Sequence, residues 1–201
     1  MISIIDYGAG NIFSVKNALD YLGLDSTLTS DINQIKESDA LILPGVGAFP
    51  GAMKMLDDSG LTDVIKEEAS KKPLLGICLG MQMLFEKSFE FEETEGLGLI
   101  SGKVDRIEAP GYIIPHMGWN KLEKLNDCPL LQGIGDDEYV YFVHSYQAYC
   151  DDNNIAAYSE YPDKVPALVT DGSFVYGAQF HPEKSGRTGL QILKNFGGLI
   201  R

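Results

Sequence analysis

The sequence has no long hydrophobic run, few cations and little cysteine. No apolar stretch approaches the roughly 20 residues that a membrane span requires, and the first residues lack the basic region of a signal peptide. A formal net charge of −13 argues against nucleic acid, which is bound by neutralising phosphates with lysine and arginine. The 3 cysteines are distant and odd in number, so neither a disulfide framework nor zinc spacing is indicated. We expect a cytoplasmic protein with no metal and no cofactor.

Short apolar runs alternate with helical patterns through the first half of the chain, which is typical of a parallel sheet covered by helices. The predicted strands are 2–5, 26–29, 40–43, 74–78, 100–106, 139–143, 156–161, 167–170 and 174–180. The predicted helices run from Asn11 to Gly23, over 52–71 with Gly60 able to interrupt, over 79–86 and over 188–199. Asp171-Gly172 is a hairpin signal, so part of the sheet is antiparallel. We predict one α/β domain over residues 1–201, with an open, mostly parallel mixed sheet and helices on both faces.

The stretch from Pro73 to Gln82 predicts a nucleophile elbow. Cys78 follows a buried strand and precedes a helical segment, with Gly76 and Gly80 at the two positions where the backbones must pass closely. A thiol at the first turn of a helix is favoured as a thiolate by the helix dipole. Free cysteine is also among the most buried residue types, so this stretch alone leaves a core role for Cys78 open.

A cysteine nucleophile requires a base, and His181 follows the predicted strand 174–180. Glu183 lies two residues beyond His181, close enough to accept a ring N–H and to select the tautomer. Taken alone, a His-Pro-Glu tripeptide could be accidental. Together with the elbow, it predicts a catalytic triad of Cys78, His181 and Glu183.

Two glycine-rich loops follow predicted strands. Gly8-Ala9-Gly10 resembles part of a dinucleotide fingerprint, but Phe13 occupies the third glycine position, so we interpret the loop as a tight turn. The other loop, Gly45-Val46-Gly47, can turn a backbone N–H toward a neighbouring site at the carboxyl end of the sheet. An ordinary strand-to-helix turn explains this segment equally well.

The motifs around Cys78 and in Gln179-Phe180-His181-Pro182-Glu183 resemble the class I, triad-type glutamine amidotransferases. Four further segments, 6–11, 44–49, 115–120 and 141–146, are similar to the glutaminase subunits of imidazole glycerol phosphate synthases. The resemblance spans nearly the whole chain and shows no departure at a catalytic position. It implies a flavodoxin-like fold and glutamine hydrolysis in histidine biosynthesis. Ammonia would pass to a separate (β/α)8-barrel cyclase subunit, with which the chain forms a heterodimer.

The resemblance also implies further site residues. Backbone N–H groups of Leu79 and the Gly45-Val46-Gly47 loop would stabilise an oxyanion, and Gln82, Ser145 and Tyr146 would hold the substrate. The residues expected to face the partner are Asn11, His116, Met117, Trp119 and Asn120. On composition alone His116 is equally a core residue, and His144 is expected to be structural. Glycines beside Val46 make a peptide flip inexpensive, so we expect the oxyanion hole to be incomplete until the partner docks.

Three alternatives remain. Another class I glutaminase, such as the subunit serving pyridoxal phosphate synthesis, should carry a different loop at 44–47. An α/β-hydrolase with a cysteine elbow places its acid many residues before the histidine, whereas Glu183 follows His181 by two. A catalytically silent module would lack a triad residue, and all three are present. We also expect the acidic segment 90–95 to be a solvated loop.

Overall fold

The computed structural model describes residues 1–200, and residue 201 of the predicted domain lies outside the described residues. The strands are β1 (Ile2–Ile5), β2 (Ser26–Thr29), β3 (Ala40–Gly45), β4 (Leu74–Cys78), β5 (Phe85–Ser88), β6 (Thr94–Glu95), β7 (Ile100–Arg106), β8 (His116–Lys121), β9 (Glu123–Lys124), β10 (Tyr139–His144), β11 (Tyr146–Tyr149), β12 (Ile155–Glu160), β13 (Lys164–Thr170) and β14 (Val175–Ala178). The helices are α1 (Ile12–Tyr21), α2 (Ile32–Glu37), α3 (Phe49–Asp58), α4 (Thr62–Ala69), α5 (Leu79–Gln82) and α6 (Gly186–Gly197). Short 3₁₀ turns cover Pro129–Leu131, Asp152–Asn154 and Pro182–Lys184.

The main sheet is mixed, with the order β2-β1-β3-β4-β14-β13-β12-β9. From β2 to β14 the neighbouring strands are parallel, and from β14 to β9 they are antiparallel. Strands β1, β3 and β4 are buried along their whole length, as expected for parallel strands covered on both faces. The predicted α/β fold class is therefore confirmed. Its parallel part brings the carboxyl ends of β3, β4 and β14 to one edge.

Two smaller sheets flank this edge. One has the order β11-β7-β5-β6, and the other pairs β10 with β8 in antiparallel register. The predicted strands 100–106 and 139–143 exist, but they belong to these smaller sheets. A backbone hydrogen bond connects one of them to the segment that follows β14: the N–H of His181 donates to the carbonyl of Tyr141 in β10 at 3.1 Å. Arg106 of β7, His144 of β10 and Tyr146 of β11 line the same cavity as Cys78 at the end of β4.

Helices cover both faces of the main sheet. Helices α1 and α6 contribute to one hydrophobic cluster through Val15, Leu19, Ile192 and Phe196. Helices α2, α3 and α4 contribute to a second cluster, which also contains buried side chains of β5 and β7. Apolar spacing along each helix places these side chains on one stripe, and burial of that stripe is the main favourable term in packing. In the part of the chain that the structure describes, no helix combines the length and hydropathy needed to cross a membrane.

One helix prediction needs correction, and one helix was not predicted. The predicted helix 79–86 is a single turn, Leu79–Gln82, because Phe85–Ser88 pairs with β7 and β6 instead. The predicted helix 52–71 is interrupted around Gly60, as its sequence allowed, and forms two helices; the φ of Gly60 is +71°. Helix α2 was not predicted, although Asp31 caps it by accepting a hydrogen bond from the N–H of Gln34.

Candidate active site

Cys78 lies at the corner between β4 and α5 with φ 55° and ψ −111°, a conformation that side-chain-bearing residues rarely adopt. The flanking glycines are required by close packing. A Cβ on Gly76 would lie 2.6 Å from the carbonyl oxygen of Gly80, and a Cβ on Gly80 would overlap the carbonyl oxygen of Leu43. This is the strand-turn-helix geometry predicted for a nucleophile elbow, and it presents the thiol at the carboxyl edge of the sheet.

The helix after Cys78 is shorter than the predicted helix 79–86, so its dipole stabilises a thiolate less than expected. With four residues, α5 completes about one turn, and the charge at a helix terminus arises from aligned peptide units over several turns. A thiolate at Cys78 must therefore be stabilised mainly by side chains around the sulfur.

His181 is 3% exposed and follows β14, the strand next to β4. Its Nδ1 lies 2.9 Å from Oε1 of Glu183, whose side chain is fully buried. An ionised carboxylate only accepts hydrogen bonds, so Nδ1 carries the proton and Nε2 is left to face the sulfur of Cys78. Asn11 also donates from Nδ2 to the same carboxylate oxygen, at 3.4 Å. Cys78 is also a hydrogen-bond partner of His181, so the three predicted triad residues lie in one hydrogen-bonded group.

The pKa of His181 is raised to about 9. Burial by itself lowers this pKa, but hydrogen bonds to Cys78 and Glu183, together with the negative charges of both groups, outweigh the burial. At neutral pH the ring is therefore mainly an imidazolium beside a thiol or thiolate. Such a pair can attack a carbonyl carbon through sulfur and protonate the leaving group through nitrogen.

A cavity of about 530 Å³ opens above the sulfur. Of the residues predicted for catalysis, substrate binding or the oxyanion, those lining it are Val46, Gly47, Cys78, Leu79, Gln82, Ser145, Tyr146 and His181. Gly45 and Glu183 do not line it. Residues as far apart in the sequence as Val46 and His181 therefore meet around one cavity, which is large enough for a small amino acid.

Glu90 also lines this cavity and was missed by the sequence analysis, which placed it in a solvated loop. The prediction was wrong for this residue: Glu90 is 8% exposed, and its carboxylate accepts a hydrogen bond of 2.7 Å from the N–H of Phe49. Burial raises the pKa of Glu90, although the bond from Phe49 opposes the rise. Nothing in the acidic run distinguishes Glu90 from its neighbours, because the contact with α3 is tertiary.

Gln82 is fixed inside the cavity wall at 4% exposure. Its Nε2 donates to the carbonyl oxygen of Tyr146 and to Oε1 of Gln179, both at 2.9 Å. His144, predicted to be structural, is buried and bonds through Nδ1 to the same Tyr146 carbonyl at 2.8 Å. These contacts connect α5 to the start of β11 and the end of β10.

The residues predicted to face a partner divide into two groups. Met117 and Trp119 are 62% and 55% exposed, which is unusual for large apolar side chains. His116 needs correction, because it is fully buried, and its ring stacks on the rings of Phe142 and Tyr161 at centroid distances of 4.7 and 4.0 Å. The alternation follows from the strand period of two along β8. Asn120 and Asn11 are both partly exposed.

The glycine loop after β1 makes a tight turn, with Gly8 and Gly10 at φ 91° and 114°. Within residues 1–200, no cluster of three or more His, Cys, Asp or Glu side chains has an arrangement that could hold a metal ion.

Comparisons with known proteins point to one family. The sequence model described as "Glutamine amidotransferase class-I" matches residues 3–198. The chain is 53% identical to the "Imidazole glycerol phosphate synthase subunit HisH" of Bacillus cereus (strain ATCC 14579) over 201 residues, covering 100% of this chain and 95% of the relative. The same values hold for the protein of that name from Bacillus thuringiensis (strain Al Hakam). A structure of PurLQS from Thermotoga maritima shares the fold, with a TM-score of 0.77, 19% identity, and coverage of 100% of this chain and 98% of that chain.

Proposed function

The chain belongs to the class I glutamine amidotransferase family, and we propose that it hydrolyses glutamine as the glutaminase subunit of an imidazole glycerol phosphate synthase. The observation that carries this proposal is the buried group of Cys78, His181 and Glu183 beneath a cavity of about 530 Å³. The relatives that share 53% of its residues are named as a subunit of that synthase. We further infer that one glutaminase domain does this chemistry.

The first step is attack by the Cys78 thiolate on the side-chain amide carbon of glutamine. The carbon becomes tetrahedral and its oxygen takes up a negative charge, which preorganised N–H groups can stabilise. We assign this role to the N–H of Leu79 and to one N–H from the Gly45-Val46-Gly47 loop. Leu79, Val46 and Gly47 all line the cavity beside the sulfur.

The second step is loss of ammonia. The His181 imidazolium protonates the leaving nitrogen, and a γ-glutamyl thioester on Cys78 remains. The neutral imidazole then takes a proton from water, whose oxygen attacks the thioester and releases glutamate. Glu183 holds the proton on Nδ1 throughout, so that Nε2 both gives and accepts protons.

We assign recognition of the amino-acid end of glutamine to Gln82, Ser145 and Tyr146, which line the cavity beyond the sulfur. Glu90 adds a negative group to the same wall. A buried carboxylate attracts an ammonium more strongly than an exposed one, because there is less water to screen it. Glu90 therefore favours a substrate that carries a free α-ammonium.

The name of the relatives implies a partner subunit. We propose a (β/α)8-barrel cyclase that forms a heterodimer with this chain and uses the ammonia to make imidazole glycerol phosphate and an aminoimidazole carboxamide ribonucleotide. Its docking surface includes Met117 and Trp119, with Asn11 and Asn120 at the side. Trp119 packs against Tyr141 at a centroid distance of 6.1 Å, and the Tyr141 carbonyl accepts a hydrogen bond from the N–H of His181. Tyr141 therefore connects Trp119 on this surface to the base, His181. We propose a cytoplasmic location for the pair.

The loop at Val46 provides a reason for control by the partner. Ammonia released without an acceptor is protonated in water and lost, so hydrolysis is useful only when the cyclase is loaded. We propose that the Val46 N–H completes the oxyanion hole when the loaded cyclase docks. Val46 is 44% exposed, and Gly47 has open space around its α-carbon.

The test is release of glutamate from glutamine by the purified chain alone, and with the cyclase subunit plus its nucleotide ligand. We expect strong stimulation by the loaded partner, and loss of at least about a thousandfold in Cys78→Ala. With added ammonium salt, the Cys78→Ala complex should still form the cyclised product. Full activity of the free chain would contradict partner control, and no activity under any condition would contradict the glutaminase assignment.

A further inference from the structure

Gln179 is a fully buried amide beside the sulfur of Cys78. It lies in the segment between β14 and His181, and its Nε2 is 4.0 Å from Sγ of Cys78. The distance is long for nitrogen and oxygen, but it reaches the larger sulfur atom as a weak hydrogen bond. The reaction steps above do not use this side chain.

The orientation of the Gln179 amide follows from its neighbours. A backbone carbonyl only accepts hydrogen bonds, so the atom of Gln82 that lies 2.9 Å from the Tyr146 oxygen is the amide nitrogen. The same nitrogen lies 2.9 Å from Gln179, which must therefore present its oxygen to Gln82. The NH₂ group of Gln179 is then left facing the sulfur.

The Tyr146 carbonyl is itself held firmly. It also accepts from Nδ1 of His144 at 2.8 Å, and Nε2 of His144 lies 3.0 Å from Nδ1 of His116. Burial lowers the pKa of His144 to about 3, so the ring is neutral and carries its proton on Nδ1. His144 and Gln82 thus both donate to the Tyr146 carbonyl, and Gln82 also donates to the Gln179 oxygen. Each donor and acceptor in the group is therefore assigned, and the NH₂ group of Gln179 is left for Cys78.

We propose that Gln179 is a positioning residue that donates an N–H to the Cys78 thiolate and holds the sulfur toward the cavity. The proposal rests on the glutaminase function and extends it. It supplies the sulfur with a donor in addition to His181, which the single-turn helix α5 does not provide. Hydrogen bonds to charged groups are stronger than those between neutral groups, so the donor favours the thiolate over the thiol.

A purely supporting role for Gln179 gives a different expectation. If the side chain only holds Gln82, its loss would disturb the wall that receives the amino-acid end of glutamine. KM would then rise, while the reactivity of the sulfur would not change. A donor to the thiolate affects the sulfur itself and leaves substrate binding almost unaltered.

The test compares Gln179→Met with Gln147→Met in the full chain. Methionine keeps the length of glutamine without the amide, and Gln147 is a matched control because it is also buried but does not line the cavity above Cys78. The rate of Cys78 alkylation by iodoacetamide is measured from pH 5 to 10, with Cys78, Cys128 and Cys150 followed separately by peptide mass spectrometry. Alkylation needs no turnover, so the result stands apart from the test of glutaminase function.

For Gln179→Met we expect the midpoint of the alkylation profile to move up by about half to one pH unit, with the rate at pH 7 falling about threefold to tenfold. In the complex, kcat should fall about tenfold while KM stays within about twofold. Gln147→Met should match the unchanged protein in both assays. An unchanged alkylation midpoint together with a raised KM would overturn the proposal.

Gln179→Asn provides a second variant that keeps a buried amide but is one methylene too short to reach both Gln82 and the sulfur. The same upward shift is expected, and a midpoint equal to that of the unchanged protein would overturn the proposal. A shifted midpoint in a chain that never hydrolyses glutamine would support the donor role and reject the proposed function.

Discussion

The ends of β3 and β4 lie side by side, with Gly45 opposite Cys78, yet they are held very differently. At the end of β4, the elbow has no free space, since a Cβ on Gly76 would lie 2.6 Å from a backbone oxygen. At the end of β3, Gly47 has no atom within 4 Å of an added Cβ, and Val46 is 44% exposed. The comparison indicates that the sulfur is fixed by its surroundings, whereas the neighbouring N–H donors are free to be adjusted.

The close packing at the end of β3 stops between Gly45 and Val46. A Cβ on Gly45 would lie 2.5 Å from the N–H nitrogen of Gly80, so Gly45 still belongs to the tightly packed elbow. Only Val46 and Gly47 are left unconstrained. A change in their conformation could therefore alter the oxyanion hole without moving Cys78.

Among these variants, Gly80→Ala should reduce the stability of the tightly packed elbow the most. The new methyl would overlap the carbonyl oxygen of Leu43, and two backbones would have to separate, which we expect to lower the free energy of unfolding by about 3 kcal/mol or more. Urea denaturation measures the change. Gly51→Ala in α3 is the control, because it has open space and should stabilise by up to about 1 kcal/mol. Equal effects of the two variants would show that the elbow is not tightly packed.

The pH dependence of stability tests the raised pKa of His181, the base beside the elbow. The pKa of His181 is raised from 6.5 to about 9 in the folded chain, so the stability that His181 contributes is fully present below about pH 6.5. It is lost as pH rises toward 9. We expect the free energy of unfolding of the unchanged protein to fall by about 1 to 3 kcal/mol more than that of His181→Gln over this range. Parallel pH profiles for the two proteins would rule out the raised pKa.

The strain at Cys78 provides a third comparison, between Cys78→Gly and Cys78→Ala. Both variants remove the sulfur, but only glycine adopts a φ of 55° without steric cost. We expect Cys78→Gly to be more stable than Cys78→Ala by about 1 kcal/mol, in spite of the greater chain entropy of glycine. Thermal unfolding measures the order. If alanine were the more stable variant, the corner would not be strained.

Gly47→Ala tests the open side and should have the smallest effect on folding. The methyl meets no atom, but the φ of +99° is unfavourable for alanine, so we expect a loss of about 1 kcal/mol. We expect the rate of glutamine hydrolysis in the loaded complex to fall by a larger factor than the folding equilibrium constant does, because alanine restricts the conformations that the loop can adopt. A variant stimulated as strongly as the unchanged chain would show that movement of Gly47 is not needed.

The sequence was sufficient to predict the parallel half of the sheet, because buried apolar runs ending in glycine have few other interpretations. The family, the fold class and the Asp171-Gly172 hairpin, where β13 pairs with β14, are confirmed. The error at 79–86 has a physical cause: a helix is expected directly after the elbow, but Phe85 is the first residue of a strand in a separate sheet. Such pairing is a tertiary preference that local periodicity does not contain.

The sequence also did not indicate which polar residues are buried. Glu90 and His116 are hidden by contacts with residues that lie far from them in the sequence, Phe49 for one and Phe142 and Tyr161 for the other. By contrast, the predicted bond between His181 and Glu183 is local, so their spacing alone indicated it. The roles of all these residues in catalysis and binding stay predictions.

The adjacency of β4 and β14 has a consequence for the time at which the protein becomes reactive. Gln179 and Cys78 are 101 positions apart, so strand pairing must close a long loop before base and sulfur meet. Contacts of such separation form late in folding. On the ribosome, the thiol emerges well before the histidine that activates it. A partly synthesised chain therefore carries Cys78 without its base. It cannot hydrolyse glutamine until β14, the last parallel strand, has docked.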